Sequence, residues 1–316
     1  MLKRVDAEEW VKFLDIVSEY SIFDSIEWVE NIENTFQLQS IFYIFYQDNK
    51  PILGFICYVS GDWIKLPNHV FFSSLVFNKK HSENVISDNL TASIKELSSK
   101  YKVINFKLNP EIKDIRSFTW NQFNVIPRYT YWVDLLNTKY HERVYRVLKK
   151  EHMRNYTYYE NKDNELNLDR QFDFVPKSEK SMNHFYTRKF IEKMIVLKKI
   201  IVFSAYENET LNASYVVIKD DLSKIAYGIM LYTVPEFAKT GVTSGLHDFV
   251  FNYMRDKGIQ NFDLCGGNFQ QISAFKRGFN PVLKLYFETT KDNRFGNGKI
   301  GELLVNTRNS IKKFTK

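Results

Sequence analysis

Between residues 262 and 279 the chain reads Phe262-Asp263-Leu264-Cys265-Gly266-Gly267-Asn268 and then, a short way on, Phe275-Lys276-Arg277-Gly278-Phe279. An apolar strand ends in a carboxylate, turns through two glycines, and meets cations on a short helical turn before the next strand, PVLKLYFETT. This order sets fixed cations at the mouth of a sheet. Asp263 at the strand end can accept a proton, orient an incoming amine, or simply cap the turn. Gly266, Gly267 and Asn268 allow backbone to come close to a ligand, and a tight turn asks for the same residues. Phe275 reads equally as a core aromatic and Lys276 as a surface charge.

The elements that must hold these residues follow a plan that occurs twice. SIFYIFY (40–46) and PILGFICYV (51–59) flank a turn at Gln47–Lys50, then come FFSSLVF, a helix from about Glu83 to Lys100 with Val85, Ile86, Leu90, Ile94 and Leu97 on one side, and strand VINFKL. In the second half IIVFSAY and LNASYVVI flank Glu207–Thr210, KIAYGIMLY follows, and a helix opens near Gly241 and stops at Gly258 before strand NFDL. The turns at Asn49 and Glu209 lie 160 residues apart and the strand centres at Phe106 and Phe262 lie 156 apart, which argues for a duplicated unit. Ahead of the first copy, Asp24 or Ser25 can cap a helix bearing Trp28, Val29, Ile32 and Phe36. Ile126-Pro127-Arg128 breaks the pattern, and YTYWVDLL restarts it ahead of a basic helix, KYHERVYRVLKKEHMRNY. The expected domains are therefore 1–128, 129–290 and a basic tail at 291–316 with a short helix; Asn161–Asp173 reads as a loop.

At 316 residues two domains are the default, and each is large enough for its own core. No run of about 18 uncharged apolar residues exists and no secretory signal opens the chain, so the expected place is the cytoplasm. Cys57 and Cys265 are the only cysteines, too few for a disulfide scaffold or a zinc cage, and the six histidines lack metal-ligand spacing, so no metal is expected. The net charge of +7 favours anionic partners, among them nucleotide phosphates, a diphospho-linked sugar or transfer RNA. Further anion contacts can come from Lys149, Lys150 and Arg154 on the basic helix, from Tyr186 and Arg188 in HFYTRKF, and from Lys239, Gly241 and Ser244 where the later helix begins. Helix capping and a solvated face explain the same residues.

Taken together, the duplicated plan, the opening helix with its tryptophan, the basic helix and the closing strand, glycine turn, Phe-Lys and strand resemble FemABX proteins over nearly the whole chain. The resemblance implies an α+β fold of two tandem GNAT-like domains with mixed, mostly antiparallel sheets. It implies an acyltransferase that joins an acyl or aminoacyl group to an amine of a cell-envelope precursor, a nucleotide-linked amino sugar or a peptidoglycan stem peptide, by direct attack. No tightly bound cofactor is implied; acyl-CoA or aminoacyl-tRNA serves as co-substrate. It places Phe275 and Lys276 at the acyl-transfer centre, the lysine meeting negative charge. Two departures stand out: Lys239–Gly245 matches the CoA loop of GNAT enzymes poorly, and Lys139–Lys199 is too short for the paired-helix arm of members that use transfer RNA. The alternatives are a nucleic-acid-binding protein and a catalytically idle GNAT-like scaffold.

Overall fold

The structure, a computed structural model, describes residues 1–67, 70–161, 182–268 and 270–294. In chain order its strands are β1 (Leu2–Val5), β2 (Gln39–Gln47), β3 (Lys50–Ser60), β4 (Trp63–Ile64), β5 (Ser74–Phe77), β6 (Val103–Lys107), β7 (Asn124–Asp134), β8 (Thr157–Glu160), β9 (Ile200–Glu207), β10 (Thr210–Asp220), β11 (Ile225–Thr233), β12 (Asn261–Asp263) and β13 (Val282–Asp292). The helices are α1 (Ala7–Val17), α2 (Ile26–Phe36), α3 (Glu83–Lys100), α4 (Arg116–Trp120), α5 (Glu142–Leu148), α6 (Met182–Val196), α7 (Val242–Asp256) and α8 (Gln270–Lys276). None of them is long and apolar enough to cross a membrane.

The chain divides into two compact units. Met1–Val17, Leu38–Ile126 and Phe287–Lys316 make the first, Ser18–Gln37 and Pro127–Tyr286 the second. Both are built on the same hairpin. Asp48 and Asn49 between β2 and β3, and Asn208 and Glu209 between β9 and β10, all have positive φ, the twist that two-residue hairpin turns require.

In the first unit β3 pairs with β2, β4 and β5, β1 pairs with β2, β4 runs parallel to β6, and residues 288–292 of β13 pair with β6. Strand alternation sends Tyr43, Phe45, Leu53 and Phe55 to one face, where they meet Leu90, Ile94 and Leu97 of α3 together with Phe106 and Phe118. On the other face α1 lays Trp10 and Phe13 over Gly54. A side chain there would come within 2.6 Å of the Trp10 ring and 2.7 Å of Phe13, so only glycine admits the helix.

The second unit orders its strands β7-β12-β11-β10-β9-β8. On one face α7 buries Val242, Leu246, Val250, Phe251 and Met254 against Phe203, Ala213, Tyr215 and Val217. On the other lies α2, capped by Ser25, with Trp28 fully buried and edge-on to Phe23 and Phe190 at 5.0 Å each. Asn31 bonds the Phe190 carbonyl at 3.0 Å, and the Asp220 carboxylate accepts the Ile22 N–H at 3.0 Å.

The α+β class and the tandem plan are as the sequence implies. Residues 18–37, assigned by sequence to the first domain, join the second through these Trp28 and Ile22 contacts. The basic run is not one helix: α5 stops at Leu148, Lys150 is extended, and a 3-10 turn (Glu151–Asn155) follows. That break turns Met153 inward, where it is buried against α7. FFSSLVF forms strand only at Ser74–Phe77, because Ser73 exchanges hydrogen bonds with Lys107 instead. Most of the 161–173 loop and of the tail helix lie outside the described residues.

Gly54→Ala should lower unfolding stability by roughly 1–3 kcal/mol through overlap with Trp10 and Phe13, read by urea denaturation. Trp28→Ala should cost roughly 3–5 kcal/mol, and a normal midpoint in the same assay would contradict the packing given for α2.

Candidate active site

In the second unit β11 and β12 run parallel over three residue pairs only, Ile225–Tyr227 with Asn261–Asp263. Beyond them β12 ends while β11 continues to Thr233, so the strands part and no ladder continues on that side of β11 among the described residues. The apex of this opening is the segment Asp263-Leu264-Cys265-Gly266.

Asp263 is 1% exposed. Its carboxylate accepts the Thr130 hydroxyl, the Trp132 indole N–H at 3.0 Å and the Cys265 N–H at 2.7 Å. Burial lifts its pKa above the ordinary carboxylate range, against the pull of these donors and of Lys276. Cys265 and Gly266 both take left-handed backbone conformations, at φ 55 and 53. For Cys265 that conformation carries strain, offset by its N–H on Asp263 and its carbonyl on Lys276.

The Lys276 ammonium turns back from the end of α8 onto the Leu264 carbonyl at 2.8 Å and the Cys265 carbonyl. It is partly buried, and burial pushes its pKa below the ordinary lysine value while Cys265 and Asp263 oppose that shift. An ammonium has three donors, so two carbonyls leave one for another acceptor. Arg277, its neighbour, is exposed and contributes no second cation here.

Behind the lysine stands an aromatic wall. Phe275 is partly buried, 5.4 Å from both His247 and Phe279, and His247 stacks on Phe279 at 4.7 Å and tilts over Tyr215 at 4.8 Å. His247 is 1% exposed, and burial lowers its pKa to about 4. It is therefore neutral at pH 7, with Nδ1–H donating to the Thr243 carbonyl at 2.8 Å.

The glycines and Asn268 act on the turn itself. Gly267 donates to the Tyr129 carbonyl at 3.0 Å, and any side chain there would strike that carbonyl. Asn268 closes the clip, accepting from Tyr129 N–H at 2.9 Å and donating to its carbonyl at 3.2 Å.

The structure thus gathers Asp263, Gly266, Gly267, Asn268, Phe275 and Lys276. Others fall elsewhere: Arg154 and Lys239 are exposed, Arg188 pairs along its own helix with Glu192 at 2.9 Å, and Tyr186 sits on α6 where side chains are not described. Gly241 and Ser244 do open α7, but that helix start is covered. Val147 and Met153 lie against Gly241, Met153 and Tyr158 against Gly245, and His152 bonds the Thr240 carbonyl at 2.7 Å. These glycines admit protein side chains where an anion seat was expected.

Sequence reading missed Thr130 and Trp132, which reach Asp263 from alternate positions of β7, and Arg143, which holds the Ala274 and Phe275 carbonyls. The period-two spacing of Thr130 and Trp132 was the available signal.

No family model matches the chain, and no curated protein matches its sequence. Among solved structures, FemX aligns over 91% of this chain and 96% of its own at TM-score 0.63 and 10% identity. L-PGS from Bacillus licheniformis aligns over 97% of both at TM-score 0.57 and 13% identity. A tandem GNAT protein from the clavulanic acid biosynthesis pathway aligns over 92% of this chain and 98% of its own at TM-score 0.58 and 12% identity. At such identities the likeness is one of fold, and it runs the length of both partners: the chain has the tandem GNAT-like fold of FemX, L-PGS and their structural relatives.

Proposed function

We propose that this chain is an acyltransferase that passes an acyl or aminoacyl group to the amino group of a cell-envelope precursor, either a nucleotide-linked amino sugar or a peptidoglycan stem peptide. The observation that carries the reading is the Lys276 ammonium, held where β11 and β12 part and withdrawn from bulk water. Attack of an amine on an ester or thioester carbonyl puts negative charge on oxygen. A preset cation with one unspent donor stabilises that charge, with no covalent enzyme intermediate. Phe275, next to the lysine in the chain, packs its ring on His247 and Phe279. Asp263, sealed beneath the turn, acts here as a positioning residue.

Both acyl-CoA and aminoacyl-tRNA remain in the proposal as donors. Coverage of the α7 start by Val147, Met153 and His152 favours aminoacyl-tRNA, which does not need a diphosphate seat there. FemX and L-PGS share the fold. Against an idle scaffold stands the third donor of this half-buried ammonium, which the two carbonyls leave unspent.

With either donor and an amine acceptor of the two classes, Lys276→Met should lower kcat by about 10²–10³-fold, the size of one lost oxyanion donor, with KM little changed. Lys276→Arg, which keeps the charge, should recover part of the loss; unaltered turnover in the Met variant by a well-folded protein would sink the proposal. Because the lysine must be protonated and its pKa is depressed, wild-type activity should be present at neutral pH and fall on the alkaline side below the ordinary lysine range. That limb should vanish from the residual activity of Lys276→Met.

A further inference from the structure

The first unit contains a cavity of about 390 Å³ beside the start of α3, the helix that corresponds in the duplicated plan to α7. Where the start of α7 is filled by Val147 and Met153, the start of α3 is open. Its floor is apolar: Phe77, Ile86, Leu90 and Ile112. Ser87 also lines it, 8% exposed, and its hydroxyl has no hydrogen-bond partner among the described residues, its carbonyl alone serving Thr91 and Ser117.

Charge at the rim comes in both signs. Asp114 is held by Arg116 at 2.8 Å, and Glu83 lies 3.8 Å from the same guanidinium. Glu111 and Lys113, two residues apart on one wall, form no ion pair or side-chain hydrogen bond among the described residues. A phosphate here would face Glu83, Glu111 and Asp114 as well as Lys79, His81 and Lys113, so the lining does not select a lone anion. A purely apolar ligand would strand the Ser87 hydroxyl and leave the rim charges unused.

We infer that this cavity binds a free amino acid with an apolar side chain as its zwitterion. The ammonium meets Glu111, the carboxylate meets Lys113, Ser87 donates or accepts one hydrogen bond, and the side chain lies on Ile86, Leu90 and Ile112. A small molecule carrying both charges a few ångströms apart meets both of these side chains, and the cavity is large enough to hold one. The inference is independent of the acyl-transfer reading, since it uses no residue of the second unit.

Calorimetric titration of the full chain with leucine, methionine and phenylalanine, beside N-acetyl-leucine and leucinamide, tests it. At least one free amino acid should bind at a single site, the blocked forms about tenfold or more weaker, one lost charge contact each. Glu111→Gln and Lys113→Met should each weaken binding by about tenfold with Tm unchanged, and Ile112→Arg should abolish it. Lys276→Met should leave it intact, which separates this site from the acyl-transfer centre. Absence of binding at millimolar concentration, equal affinity for the blocked forms, or indifference to all three cavity variants overturns the inference. So does binding of ADP that Ile112→Arg removes, which would assign the cavity to a phosphate.

Discussion

One lysine folding back onto two carbonyls organises the second unit's opening. The interaction of Lys276 with Leu264 and Cys265 fixes a turn whose backbone is otherwise unfavourable, because Cys265 has a side chain in a conformation suited to glycine. Asp263 holds the same turn from below and Asn268 clips its far end to Tyr129. The cation is thereby a fastener of the turn and, in the proposed reaction, the group that meets the developing charge. Its depressed pKa and the lifted pKa of Asp263 have a common origin in burial, each charged form partly supported by the other.

The two units have diverged at the place where their common plan puts a helix start. Glycines at 241 and 245 bring α7 against Val147, Met153 and Tyr158, so local polar groups and apolar side chains occupy the space. At α3 the equivalent space is bounded by charged side chains of both signs and an apolar floor. Helix polarity alone therefore says little about ligands: what surrounds the first turn decides whether it is a seat or a packing surface.

Much of this was readable from residues alone, where the signal was local. Hairpin turns at Asn49 and Glu209, the apolar stripe on α3, the cap at Ser25 and the stop of α7 before Gly258 each depend on neighbours a few positions away. The Phe-Lys pair was legible as a motif, but its inward turn was not, since that depends on carbonyls 11 and 12 residues earlier. Partners of Asp263 come from more than 130 residues away, and Val147 reaches Gly241 across nearly a hundred. The broken basic helix shows the limit: its composition favours one helix, and burial of Met153 overrides it.

The assignment of Ser18–Gln37 to the second unit and of Phe287 onward to the first makes the chain interleaved. As a nascent polypeptide leaves the ribosome, Phe23 and Trp28 emerge long before Phe190 and Tyr227, the rings that will cover them, have been translated. The first unit likewise waits for residues 288–292 to complete its sheet at β6. The second unit can therefore close once Tyr286 has been made, while the first still waits for the strand that follows, and Phe23 and Trp28 need shielding until Phe190 and Tyr227 have emerged.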